Sequence, residues 1–209
     1  MARSKLETYI RHYLGIPYHI NIPPQDSENN ALVGKGTWQE IYFEAKKLNP
    51  NFEKLQPVQK YNILKKHHLG IDCSGLAYHL LNRLYQSSHH QSIEPYLIGV
   101  SGKHGHTGVR KLSADYLTNS TNSTRIKAYD DIRPGDLIRI NHGHHVIFVI
   151  KKTNHTIHYV HSSNRTKIRG VHLGTITITY PPKSLIHQSW SEKIPSLAPA
   201  SLHRLKCLT

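Results

Sequence analysis

Apolar residues recur at helical spacing near the start of the chain. Leu6, Tyr9, Ile10, Tyr13 and Leu14 share one face of a 3.6-residue period, and Ser4 with Glu7 has the form of a capping box. Gly15 and Pro17 close that helix. Residues 19–36, with Pro23-Pro24, Asn29-Asn30 and two glycines, read as loop. Thr37 and Glu40 form a second capping box, predicting a helix to about Leu48, and Pro57 suits the first turn of a third, running to about His67. Gly70 ends it. Leu76, Ala77, Leu80, Leu81 and Leu84 then mark an amphipathic helix with Asp72 as its N-cap.

The period changes after Arg133-Pro134-Gly135-Asp136, a turn signal. Strands are predicted over 136–141, 145–151, 156–162, 168–180 and 203–208. Helices first and a contiguous run of antiparallel strands afterwards predict an α+β fold. At 209 residues the chain suits a single domain, residues 1–209, able to bury its own core without staples. Its two cysteines, Cys73 and Cys207, are too few for a secreted disulfide framework. Cys207 is expected on an edge strand, as a structural residue.

Charge narrows the surroundings more than the chemistry. With 27 basic and 13 acidic residues the formal net charge is +14, which draws polyanions: nucleic acid, anionic lipid or an anionic cell wall. The basic residues are scattered as pairs such as Lys46-Lys47, Lys65-Lys66 and Lys151-Lys152, so no specific nucleic-acid module is expected. No apolar run approaches a membrane span, and the segment after Met1 has no apolar signal-peptide region. The sequons at Asn119, Asn122, Asn154 and Asn164 read as turn formers.

Candidate chemistry centres on Cys73, placed at the first turn of its helix. Unpaired N–H groups there stabilise a thiolate and can bring a cysteine's pKa to roughly 3.5–7.5. The bland reading is a small buried residue. A nucleophilic cysteine needs a base, and the base an orienting partner. His145 opens one predicted strand; His158 and His161 lie on the next. Side chains alternate along a strand, so only one of those two can share a face with His145. An even-numbered hairpin loop selects His158, and an odd loop or a bulge selects His161. A zinc site at His142, His144 and His145 with His104 or His106 is a further reading, weakened by the lack of a cysteine or carboxylate at ligand spacing.

The order of four motifs resembles the NlpC-type cell-wall peptidases, a papain-like family. They are Tyr13-Leu14-Gly15-Ile16-Pro17-Tyr18, Asp72-Cys73-Ser74-Gly75-Leu76, Arg133-Pro134-Gly135-Asp136-Leu137 and His145-Val146, within residues 5–165 and interrupted by a helical insertion at 22–68. The resemblance implies a papain-like fold with N-terminal helices packed on an antiparallel sheet. It implies Cys73 as nucleophile, His145 as base and His161 as the polar orienter. Tyr18, Asp72 and Ser74 are the implied substrate-binding residues. The implied activity is hydrolysis of amide bonds in peptidoglycan stem peptides, as a D,L-endopeptidase or an amidase. Peptidoglycan or another anionic wall polymer is then the partner, and no cofactor or metal is expected. The implied location is the cell envelope or outside the cell, with cytoplasmic storage or export without a signal peptide as the alternatives. Two other functions fit the same residues: a deamidase, transglutaminase or acyltransferase, including a toxin, or a non-catalytic binder of anionic polymer.

Overall fold

A computed structural model describes residues 2–20, 28–97, 108–179 and 184–209. Four helices precede the sheet: α1 (Ala2–Arg11), α2 (Trp38–Leu48), α3 (Pro57–Lys66) and α4 (Cys73–His89). The local signals that start them are visible in the bonds. Thr37 and Glu40 make the reciprocal capping box of α2, Pro57 occupies the first turn of α3, and the Asp72 carboxylate accepts the Gly75 N–H at 2.6 Å to cap α4. The expected cap at Ser4 is not where α1 begins; that helix already includes Ala2, so Ser4 lies inside its first turn.

A short helix, α5 (Ala114–Thr118), leads into seven strands: β1 (Ser123–Ile126), β2 (Leu137–Ile140), β3 (His145–Thr153), β4 (Thr156–Ser163), β5 (Gly170–Thr177), β6 (Ser189–Trp190) and β7 (Ser201–Leu205). They form one antiparallel sheet in the order β1-β7-β2-β3-β4-β5-β6. The architecture is α+β. The C-terminal strand is not an edge: β7 lies between β1 and β2, and Cys207 sits just beyond it in a 3-10 turn. Pairing with both neighbours is what draws this strand inward, and a short apolar alternation does not encode that.

The sheet carries a core on each face. One face packs Val146, Phe148, Ile150 and Val160 against Leu76, Leu80 and Leu81 of α4. Ile41, Phe52 and Leu64 from within the 22–68 stretch belong to that same core, so the described part of this stretch is built into the body of the protein. The other face packs Ile138, Ile140, Ile147, Val149, Tyr159 and Ile176 beneath a strap formed by residues 184–200, which includes Leu185 and Trp190. Tail residues thereby reach the face that α4 does not cover. Among the described residues no helix is long and apolar enough to cross a membrane.

The β3–β4 hairpin resolves the choice between His158 and His161. Its loop, Asn154-His155, has two residues, since Thr153 pairs with Thr156. Continued without interruption, that register would put His158 on the His145 face. A bulge at Ile150 interrupts it: Lys151 pairs with His158, but Val149 pairs with Tyr159. The extra residue reverses the alternation, and His161 comes to lie beside His145.

The Pro-Gly-Asp turn fixes the start of β2. Asp136 is fully buried; its carboxylate receives the Arg133 N–H at 2.7 Å and a two-pronged contact from Arg204 of β7 at 2.7 and 2.9 Å. Burial raises the Asp136 carboxyl, and the Arg204 bonds oppose that rise without cancelling it. Asp136→Ala is expected to cost about 3 kcal/mol, because it strands Arg204 and one backbone N–H together. Urea unfolding is the check, and a loss below about 1 kcal/mol would show that this bridge does not hold β7 in place.

Candidate active site

Cys73 is the first residue of α4, where its own N–H has no intrahelical partner. The helix start is held by a buried polar cluster. Lys35, from the stretch before α2, places its ammonium 2.7 Å from Asp72 Oδ2, 2.5 Å from Ser74 Oγ and 2.7 Å from the Leu112 carbonyl. All three ammonium protons are thereby used. The Ser74 hydroxyl lies 3.0 Å from Asp72 Oδ1 and 2.8 Å from the same carbonyl. The backbone contributes as well: Lys35 bridges Ile71, and the Asp72 N–H donates to the Gly34 carbonyl at 2.9 Å. Gly34 takes a positive φ of 75°, and a Cβ there would run into the His19 carbonyl.

This environment does not ionise the thiol, contrary to the expectation from helix position. Burial pushes Cys73 up to about 11, and the neighbouring Asp72 charge adds to the rise. The Val146 and Ser74 N–H groups and Lys35 pull the other way without prevailing. The resting form at neutral pH is the thiol.

His145 follows a turn in which Asn141, His142 and Gly143 all take positive φ, at 49°, 54° and 89°. Its Nε2 is 2.8 Å from His161 Nδ1. Burial is the main reason its pKa falls to about 3, with His161 adding to the fall, so the ring is neutral and able to accept a proton. His161, fully buried on β4, continues outward: its Nε2 is 3.1 Å from Glu192 Oε1 and 3.0 Å from His172 Nε2. Glu192, carried by the strap, also receives the Tyr159 hydroxyl at 2.7 Å and stands 2.9 Å from His172 Nε2.

These groups shift one another. Burial pulls His161 down, and Glu192 offsets only part of that. Burial also acts downward on His172, but the Glu192 carboxylate and the Gly170 carbonyl outweigh it and raise the net value. For Glu192, burial acts upward and is overcome by bonds from His161, His172 and Tyr159, leaving the carboxyl well below its ordinary range.

Six residues expected from sequence therefore fall in one neighbourhood. Cys73, Asp72 and Ser74 line a cleft of about 780 Å³ together with Tyr18, Lys35 and Lys111. His145 lines an adjoining cleft of about 160 Å³ with Tyr18, Ser163 and Arg165; Tyr18, Ile20 and His144 border both. His161 lies behind His145. Tyr18 is half-buried, and its hydroxyl is raised by burial, then by Cys73 and Asp72, which places it near both. Cys73 itself is met by the backbone N–H of Val146, the residue after His145. Among the described residues no hydrogen bond joins Cys73 to His145.

The alternative zinc reading at His142, His144 and His145 is not a clustered ligand set among the described residues, and His104 and His106 lie outside them. Sequence reasoning missed Lys35, His172 and Glu192. Lys35 reads as one surface lysine among many, His172 is one of 18 histidines, and Glu192 follows a two-residue strand without a periodic signal. Comparison with protein-family models, with curated proteins and with solved structures returned no match in any of the three.

Removing one partner of the Lys35–Asp72 pair leaves a buried charge uncompensated. Lys35→Met is expected to cost about 3–5 kcal/mol, and adding Asp72→Asn, which keeps an N-cap acceptor, is expected to recover part of it. A double-mutant cycle from denaturant unfolding measures this. A coupling below about 0.5 kcal/mol would mean that the two charges act independently.

Proposed function

We propose that the protein is a cysteine hydrolase of the papain-like, NlpC type, cleaving amide bonds in peptidoglycan stem peptides with Cys73 as nucleophile and His145 as base. One observation carries the reading: a cysteine at the first position of a helix lies beside the residue that follows a neutral histidine, and that histidine is oriented from behind by His161 and Glu192. With Nε2 engaged by His161, the Nδ1 nitrogen of His145 is the one left for the thiol.

The resting pair is thiol and neutral imidazole, so proton transfer accompanies attack. Cys73 Sγ bonds to the amide carbon as its proton passes to His145, and the imidazolium then protonates the departing amine. Water activated by the same imidazole releases the acid from the thioester. The Cys73 N–H at the helix start is the donor for the oxyanion. The thiol–imidazole contact closes when substrate is bound; such contacts are commonly long in free enzymes. Arg110 and Lys111 along the larger cleft, with Arg165 along the smaller, suit a substrate bearing carboxylates. The choice of stem peptides rests on the motif resemblance, and the basic lining agrees with it.

Two measurements test the reading. Purified peptidoglycan treated with wild type is expected to release fragments that Cys73→Ala does not, identified by mass spectrometry; no fragments from either would remove the wall substrate. Separately, alkylation of Cys73 by iodoacetamide, followed on its own peptide to exclude Cys207, is expected to accelerate about tenfold per pH unit through the neutral range, because the thiolate fraction keeps growing up to about pH 11. A rate that levels off below pH 8 would instead indicate a preformed thiolate–imidazolium pair.

A further inference from the structure

His161, His172 and Glu192 gather one ligand atom each within 4.8 Å of one another. The Nε2 atoms of the two histidines are 3.0 Å apart, His161 Nε2 is 3.1 Å from Glu192 Oε1, and His172 Nε2 is 2.9 Å from Glu192 Oε2. Both histidines are buried and the carboxylate is half-buried. Protons alone do not satisfy this triangle. His172 Nδ1 is 2.9 Å from the Gly170 carbonyl, so Nδ1 carries the hydrogen. If Nε2 is then bare, its lone pair faces a carboxylate oxygen. If Nε2 is protonated, it and the His161 N–H each reach their own Glu192 oxygen, but the two N–H groups crowd each other at 3.0 Å. One edge is repulsive either way. A cation in the middle makes all three edges favourable.

We infer that His161, His172 and Glu192 form a binding site for a zinc-class divalent cation. The donor set, two imidazoles and a carboxylate, is of the kind that holds zinc with a fourth position open. Zinc bonds of 2.0–2.1 Å in tetrahedral arrangement separate ligand atoms by about 3.3 Å, so the two imidazole nitrogens, 3.0 Å apart, need to separate by only a few tenths of an ångström. The surrounding shell is in place: the Gly170 carbonyl fixes the His172 tautomer, Tyr159 holds Glu192, and His145 occupies the far nitrogen of His161. A cleft of about 750 Å³ reaches His172 and Glu192 and gives access. Its other walls include Arg165, Lys167 and Lys193, which favour an anion as the fourth ligand.

Binding has a consequence for the nucleophile, and this part rests on the hydrolase reading. Without metal, His145 Nε2–H donates to His161 Nδ1, His161 Nε2–H donates to Glu192, and His145 Nδ1 is a free base. A cation on His161 Nε2 takes that lone pair and places the proton on His161 Nδ1. The hydrogen bond to His145 then reverses: Nε2 of His145 accepts, and its proton sits on Nδ1, facing the thiol. His145 no longer serves Cys73 as base, so the cation is an inhibitor that acts from behind the dyad.

The binding test uses the full chain after chelator treatment, titrated with Zn²⁺ by calorimetry and with Co²⁺ by visible absorption. The expected result is one ion per chain, a cobalt spectrum without a sulfur charge-transfer band, and undiminished binding in Cys73→Ser. His172→Gln and Glu192→Gln are each expected to weaken binding by about tenfold or more, in variants whose circular dichroism and thermal unfolding show them folded. No stoichiometric binding by wild type overturns the site. So does a sulfur band lost with Cys73→Ser, which would move the ion to Cys73 and His145. Undiminished binding in folded His172→Gln overturns it as well. Alkylation of Cys73 at fixed pH is expected to slow about tenfold when zinc is added to wild type, but not to His172→Gln. If zinc binds as described and this rate is unchanged, the coupling to His145 fails while the site stands.

Discussion

Taking a lysine ammonium out of water costs several kcal/mol, and at Lys35 that cost is offset only because Asp72, Ser74 and the Leu112 carbonyl converge on it within 2.5–2.7 Å. The same Asp72 caps α4, so one carboxylate joins the loop before α2, the segment before α5 and the helix that carries Cys73. Moving any of these would strand a buried charge. The first turn of α4, and with it the direction of the Cys73 thiol, is therefore fixed by an ion pair more than by helix propensity. Its surroundings explain the thiol's protonation: burial raises the pKa most, and the adjacent Asp72 charge adds to the rise.

On the far side of the sheet a second polar set does the complementary work. His161 and His172 project into a face otherwise filled by isoleucines, leucines, Val149 and Tyr159, and Glu192 descends on them from the strap. The two polar sets meet near the start of β3, where Val146 faces one core and His145 the other. The Cys73 thiol and the His145 imidazole are thus tuned by separate environments.

What the sequence disclosed was local. Thr37 with Glu40, Pro57, and Asp72 before Cys73 each act within one helical turn, and the structure shows each in that role. The strand alternation of residues 145–163 was likewise readable, and with it the rule that one of His158 and His161 shares a face with His145. The bulge at Ile150 that decides between them was not, since nothing in Phe148-Val149-Ile150-Lys151 departs from an ordinary strand. Lys35 and Glu192 were hidden because their meaning arises from contacts 37 and 31 residues away along the chain. Helix position alone counts N–H groups that favour a thiolate; burial and Asp72, which act the other way, are tertiary and local charge effects outside that count.

The place of β7 in the sheet has a temporal side. Strands β1 and β2 are joined only through residues 201–205, so their half of the sheet cannot close while the ribosome still holds that segment. Glu192 is also made late. At 5–20 residues per second, roughly ten seconds pass between the synthesis of Cys73 and that of Glu192. For that interval the nascent chain carries its thiol with neither the orienting carboxylate nor a finished sheet. The polar set around His161 is therefore completed only after the helix that carries Cys73 has left the ribosome.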